Sequence, residues 1–348
     1  MPAPVYFHHP SSVEHDTGGH PESKERIPAI EGELSNRDWL GFERVRAPEV
    51  EHEALLAVHT AGHVERIEEI SRRGGGAIDM DTVASAGSYH AALHSTGGAM
   101  AMVDRLLGGG AEDPGIAFCG LRPPGHHATR GRAMGFCMFN NMAVAAQRAL
   151  DAHDLSRVLV LDWDVHHGNG TEAIFAAEDR VLYASIHQSP LYPGTGAADE
   201  VGREAGEGYT INLPVPPGAG DEQFTSLVEH VVARAARAWE AELILISAGY
   251  DAHRDDPLAG CEVTEDGYTT MTGSVRRLAA ELGGVPIGVI LEGGYELRAL
   301  ARSVAATLEV LAAPSPPADP GIELDALAVE AATRASRHWP VLAEISEA

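Results

Sequence analysis

Asp162, Asp164 and His166 occupy alternate positions in Asp162-Trp163-Asp164-Val165-His166, directly after the apolar run Val158-Leu159-Val160-Leu161. Alternate strand positions put side chains on one face about 6.6 Å apart, close enough to converge where the strand end curves. Carboxylate oxygen and imidazole nitrogen together suit Zn²⁺ or another divalent first-row metal. Taken alone, the pattern describes a polar strand end with capped turns equally well. His167-Gly168-Asn169-Gly170 behind it and a free aspartate after another apolar run, Asp251, weigh toward a metal. By itself Asp251 reads as a turn acid or helix cap. Joined to Asp164 and His166, it makes three ligands and leaves room for water and substrate, as a catalytic zinc requires.

Two further groups carry chemistry. His126 and His127 stand side by side after Pro123-Pro124-Gly125. A single buried histidine is usually a satisfied structural group. Two on a rigid turn read more naturally as an acid/base pair, because imidazole titrates near neutrality. Tyr295, after Gly293-Gly294, offers a hydroxyl to a developing oxyanion; in isolation it is more ordinary as packing against a glycine turn.

Positioning these groups requires a scaffold. Short apolar runs rich in β-branched residues lie at 5–7, 116–119, 158–161, 181–186, 243–246 and 286–291. They are too short for helices and read as strands buried on both faces. Helical patterns fall between them, at 84–107, 140–152, 221–242, 264–282 and 297–312, with Asp221-Glu222 and Thr264-Glu265-Asp266 as start signals. This alternation predicts a parallel, doubly wound α/β sheet. Ligands bind such sheets beyond the carboxyl ends of the strands, and every polar cluster named above follows a strand. Gly74-Gly75-Gly76 and Gly108-Gly109-Gly110 read as loops. The proline-rich stretch 314–320 divides a main domain, residues 1–313, from an apolar-periodic C-terminal helical appendage, residues 314–348.

Composition narrows the class. The 348 residues carry 51 acidic against 25 basic side chains, a formal charge of −26. Such an excess argues against nucleic acid as a partner. No signal-peptide pattern and no apolar run near the ~20 residues of a membrane span are evident. Cys119, Cys137 and Cys261 form no CxxC and cannot all pair. A cytoplasmic enzyme without membrane contact is expected; an acidic surface would attract cationic substrates.

Arg122-Pro123-Pro124-Gly125-His126-His127, Gly135-Phe136-Cys137, Asp162 through Thr171, Tyr192-Pro193-Gly194-Thr195-Gly196, Ala248-Gly249-Tyr250-Asp251-Ala252-His253 and Glu292-Gly293-Gly294-Tyr295 together resemble the zinc-dependent histone deacetylase family. The likeness is closest to its class II-like branch, with the bacterial amidohydrolases and acetylpolyamine amidohydrolases. His20-Pro21-Glu22 resembles the family's N-terminal loop, and the similarity spans roughly residues 5 to 312.

The resemblance implies the arginase–deacetylase α/β fold, a single domain with a mainly parallel eight-stranded sheet. It implies one Zn²⁺ on Asp164, His166 and Asp251. His126 and His127 become the acid/base pair, backed by Asp162 and Asn169, and Tyr295 the oxyanion donor. Gly135, Phe136, Tyr192 and Leu258 fall at a narrow tunnel for an acylated lysine or polyamine. A K⁺ site is implied at Asp162, Asp164, His166, Ser185 and Ile186. The expected activity is removal of acyl (acetyl) groups from lysine-like amines. The alternatives are an acetylpolyamine deacetylase, a two-metal ureohydrolase, and an inactive acyl-lysine binding protein. Homo-oligomerisation is compatible with the family.

Two departures bear on this. Asn169 stands where class I members carry Asp, so it orients His127 without stabilising its cation, which favours His127 as proton shuttle and His126 as the residue kept charged by Asp162. Polyamine-selective relatives place an acid after the Asp-Pro turn; here Asp256-Pro257 is followed by Leu258.

Overall fold

The computed structural model describes residues 3–108 and 115–346. Among the described residues there are ten strands: β1 Val5–His8, β2 Glu43–Arg46, β3 Gly75–Ala77, β4 Val83–Ser85, β5 Ile116–Cys119, β6 Val158–Asp162, β7 Val181–Gln188, β8 Thr210–Val215, β9 Leu243–Ala248 and β10 Ile287–Leu291. Eight form one sheet in the order β2-β1-β5-β10-β9-β6-β7-β8. Every pairing in it is parallel, so "mainly parallel" understates the sheet.

Adjacent strand residues feed opposite sides. Leu159 and Leu161 join one apolar cluster, whereas Val158 and Val160 join the other. That is why the central strands read as unbroken apolar runs. Each fully buried Leu, Ile or Val contributes about 1.5–3 kcal/mol of transfer free energy. Covering helices include Ser88–Leu106 and Asn141–Ala152 on one face, and Glu265–Glu281 and Leu297–Ala312 on the other.

The sheet ends β2 and β8 escape a search for apolar runs. Glu43-Arg44-Val45-Arg46 is an edge strand with no buried residue. β8 carries Asn212 and Pro214, and proline is tolerated at a sheet edge because one side needs no ladder donor. Gly75 and Gly76 lie in a small antiparallel hairpin of β3 with β4 rather than in a loop. The helix expected from 84 starts at Ser88 because β4 occupies 83–85. The one expected over 221–242 is α-helical at Asp221–Ser226, π-helical at Leu227–Val232 and α-helical again at Ala233–Trp239. Apolar spacing cannot distinguish the wider turn. Gly108 is the last described residue before the gap, and the loop expected at Gly109 and Gly110 lies outside the described residues.

Beyond the prolines, the helix Ala326–Ala335 places Ala328, Ala331 and Ala332 in the same cluster as the main-domain helices. Trp339 Nε1 donates to the Gly208 carbonyl at 2.8 Å. Cys119, Cys137 and Cys261 are buried free thiols. Among the described residues, no helix is long and apolar enough to cross a membrane.

Candidate active site and metal centre

Three strand ends meet at one point. β6 delivers Asp162 as its last residue, with Asp164 and His166 just beyond, while β9 and β10 lead into Asp251 and Gly293-Gly294-Tyr295. One carboxylate oxygen each from Asp164 and Asp251 and a ring nitrogen of His166 lie within 4.8 Å of one another, all three residues buried. His166 Nδ1 stands 3.1 Å from both Asp164 Oδ1 and Asp251 Oδ2. The carboxylates are fixed from behind. Gly293 N–H donates to Asp164 Oδ2 at 2.8 Å, and Val165 N–H donates to Asp251 Oδ1 at 2.9 Å.

The donor chemistry fits a divalent cation. Burial favours the neutral form of a histidine, yet its hydrogen bonds and charge interactions with Asp164 and Asp251 push His166 up to about 10. Two carboxylates and an imidazole buried together are the ligand types of a three-ligand zinc site. Gly293 is required here, since a Cβ at that position would overlap the carboxylates of both Asp251 and Asp164.

The tandem histidines lie alongside, their ring centroids 4.0 Å apart. His126 Nδ1 is 3.0 Å from Asp162 Oδ2 and His127 Nδ1 is 2.8 Å from Asn169 Oδ1. Asn169 Nδ2 donates to Met134 Sδ, which turns its carbonyl oxygen toward His127. Burial disfavours charge on both rings. Asp164 and Asp162 outweigh it at His126, whose pKa rises to about 10, whereas burial with His126 and His166 nearby holds His127 well below its usual value.

A pocket of about 210 Å³ opens on this centre, lined by Asp81, His127, Gly135, Phe136, His166, Leu191, Tyr192, Leu258 and Tyr295. It gathers all four residues expected at the tunnel with one histidine of the pair, a candidate ligand and the tyrosine. Phe136 packs edge-on to Tyr295 at 5.7 Å, and Tyr192 edge-on to His127 at 5.2 Å. Gly135 has φ +56°, and a Cβ there would strike the His127 ring.

Asp162 faces Ser185 across the β6–β7 ladder, so two of the five residues expected at a K⁺ site are neighbours. Ser185 and Ile186 lie in the buried body of β7. The 8–24 segment reaches the rim through His20, 4.5 Å from the Phe136 ring.

Several residues that shape the site gave no sequence signal for their roles. Asp256 accepts from Leu258 N–H at 3.0 Å and from Tyr295 N–H at 2.7 Å, fixing the backbone of two pocket residues. Glu292 accepts from Gly125 N–H at 2.6 Å and from His126 N–H at 3.2 Å, so it shapes the turn carrying the histidines. Asp81 is the one carboxylate in the pocket lining, and it comes from the turn between β3 and β4. The motif Glu292-Gly-Gly-Tyr offered a hint of Glu292; the partners of Asp256 and Asp81 depend on loop packing.

The chain is similar to known proteins over most of its length. The chain is 39% identical over 279 residues to a histone deacetylase-like amidohydrolase of Pseudomonas aeruginosa, covering 80% of this chain and 73% of that protein. It is 40% identical to a probable deacetylase of Methanothermobacter thermautotrophicus, covering 86% and 88%. Histone deacetylase 14, chloroplastic, of Arabidopsis thaliana is 35% identical, with 86% and 75% covered. The crystal structure of the HDA15 HD domain superposes with a TM-score of 0.90 at 36% identity, covering 100% of this chain and 99% of that one. Residues 20–311 match the family described as the histone deacetylase domain, and the chain belongs to the histone deacetylase family.

Proposed function

We propose that this protein is a zinc-dependent amidohydrolase that removes acyl groups, acetyl among them, from lysine-like amines, with the metal held by Asp164, His166 and Asp251. The observation that carries this reading is the meeting of those three ligand atoms within 4.8 Å beside a pocket lined by His127 and Tyr295. Bound there, the ion supplies Lewis acidity, polarising the amide carbonyl and bringing the pKa of water toward ~7.

The chain's own groups do the rest. Asn169 accepts from His127 Nδ1–H, which leaves Nε2 as the end that takes a proton from the attacking water and returns it to the departing amine nitrogen. Water oxygen adds to the carbonyl carbon, the C–N bond breaks, and the amine leaves protonated. Asp164 and Asp162 raise the pKa of His126 to about 10, so that ring serves as a fixed cation beside the reacting carbonyl. Tyr295 donates its hydroxyl to the developing oxyanion. Phe136 and Tyr192 give the pocket apolar walls for a methylene chain. We extend the proposal to K⁺ near Asp162, where a buried carboxylate and the Ser185 backbone lie side by side.

Asp81 in the lining favours a second reading, an acetylpolyamine deacetylase, because a carboxylate in the pocket wall suits a distal ammonium group. Leu258, apolar where polyamine-selective relatives carry an acid, supports the lysine reading. Steady-state kinetics on an acetyl-lysine peptide and on N-acetylputrescine decide between them. We expect a higher kcat/KM for the peptide; a preference for N-acetylputrescine would establish the polyamine activity. Turnover of neither by the zinc-loaded protein would leave the acyl-lysine binding role.

A further inference from the structure

A second group of metal-ligand side chains lies on the outer part of the fold and shares no residue with the centre described above. His90 and His94 are one turn apart on the helix Ser88–Leu106, and Glu49 faces them from the segment after β2. Two histidines at i and i+4 on one helix face form a ready pair of nitrogen ligands. Their Nε2 atoms stand 3.2 Å apart, and Glu49 Oε1 lies 3.7 Å from His90 Nε2 and 3.6 Å from His94 Nε2. Ligands about 2.0–2.1 Å from a tetrahedral zinc are separated by roughly 3.3 Å, so these three atoms outline one face of such a tetrahedron.

The far side of each imidazole is already engaged. His94 Nδ1 donates to the Ala47 carbonyl at 3.0 Å, and His90 Nδ1 donates to Glu14 Oε2 at 3.0 Å. Those bonds fix the tautomers and aim both Nε2 lone pairs at the common point, the outer support that metal-ligating histidines normally have. His9 stacks on the His94 ring with centroids 3.4 Å apart, holding it in plane. The carboxylate side is anchored as well. Val50 N–H donates to the Leu93 carbonyl at 3.0 Å, and the backbone of 48–50 lies directly over Gly97, where a Cβ would collide with it. Glu49 and His90 have side chains 56% and 45% exposed, so solvent can fill the fourth position.

We propose that Glu49, His90 and His94 bind a divalent first-row transition metal of the Zn²⁺ type at a second site, with water completing the coordination. Two imidazoles and one carboxylate around an open position match zinc and accommodate Co²⁺, Ni²⁺ and Cu²⁺. The bound ion ties the 47–50 segment to the helix Ser88–Leu106 and, through Glu14 behind His90, to the segment that leads toward the pocket rim.

The test is metal stoichiometry of the full chain after dialysis against Zn²⁺ at pH 7.5. It is read alongside Co²⁺ titration by visible absorption, Tm, circular dichroism and deacetylation. Wild type is expected to hold one equivalent more than the double variant His90→Gln/His94→Gln, which stays folded, keeps the equivalent at Asp164, His166 and Asp251, and remains active. Glu14→Gln removes only the outer support and is expected to weaken the extra equivalent by about 10–100-fold. Equal metal content in wild type and the folded double variant, with Co²⁺ affinity unmoved by Glu14→Gln, overturns the proposal. Because the second site is read from the difference, an empty catalytic centre lowers both proteins alike and leaves that difference intact.

Discussion

Tyr295 is held from several directions: Asp256 accepts from its backbone N–H, Phe136 packs against its ring edge, and the Arg26 guanidinium lies 5.2 Å over its face. Backbone and ring are thus fixed, and the proposed oxyanion role falls to the hydroxyl. Tyr295→Phe should keep its metal content and lose at least tenfold in kcat, within the ~2.7–4 kcal/mol that one oxyanion donor contributes. Near-wild-type turnover would remove Tyr295 from the chemistry. Asn169 offers a second test at this scale. A carboxylate in its place would stabilise the His127 cation and raise its pKa by about 1–3 units. The acid limb of the pH–rate profile of Asn169→Asp should shift upward accordingly, and an unmoved profile would count against His127 as the proton shuttle.

The turn after β10 shows how an element imposes chemistry on its residues. Gly293 lies against two carboxylates at once and donates its N–H to one of them. A methyl group there meets the carboxylates of Asp251 and Asp164 first and forces them apart. Gly293→Ala is therefore expected to bind Zn²⁺ at least tenfold more weakly in equilibrium dialysis, with an unchanged circular dichroism spectrum. Unaltered affinity would mean that the turn can shift to admit a Cβ. The strand runs and most helices were legible because residues buried on both faces leave a compositional mark. The edge strands β2 and β8 and the π-helical turn Leu227–Val232 were not, since an exposed or proline-containing strand leaves none.

At the scale of the molecule, a buried ion network ties the N-terminal segment to the strand ends. Glu22 pairs with Arg122 and Arg26; Arg26 in turn donates to the carbonyls of Glu292 and Gly294, bracketing the turn that carries Tyr295. Burial by itself would raise the pKa of Glu22, but Arg122 and His15 outweigh it and hold the carboxyl well below its usual 4.5. A depressed folded-state pKa contributes stability that is present above pH 4.5 and lost as pH falls through the folded value. Glu22→Gln leaves two buried guanidiniums short of a carboxylate, a change that costs about 3–5 kcal/mol at neutral pH. Urea unfolding should show that gap between wild type and variant at pH 7 and a narrower one at pH 3; a constant gap would dismiss Glu22 as a source of acid sensitivity. Net charge acts more diffusely. With 51 acidic against 25 basic side chains, the formal charge of −26 sets up a long-range field that attracts cations and repels polyanions.

Residue types, their order and their placement after apolar runs singled out Asp162, Asp164, His166, Asp251, the histidine pair and Tyr295 as a group, although Asp251 and Tyr295 taken singly read as a turn acid and a packed ring. The parallel sheet was also legible, because strands buried on both faces must be apolar throughout. Tertiary structure alone decided which carboxylate supports which backbone amide, and that Asp81, Asp256 and Glu292 belong to the pocket and its supports. It also brought Glu49 opposite His90 and His94. These are pairings between segments far apart in the chain. A single buried or partnered acid has the same sequence signature as a solvated one, and only the packing that desolvates it or brings it to a neighbour separates the two.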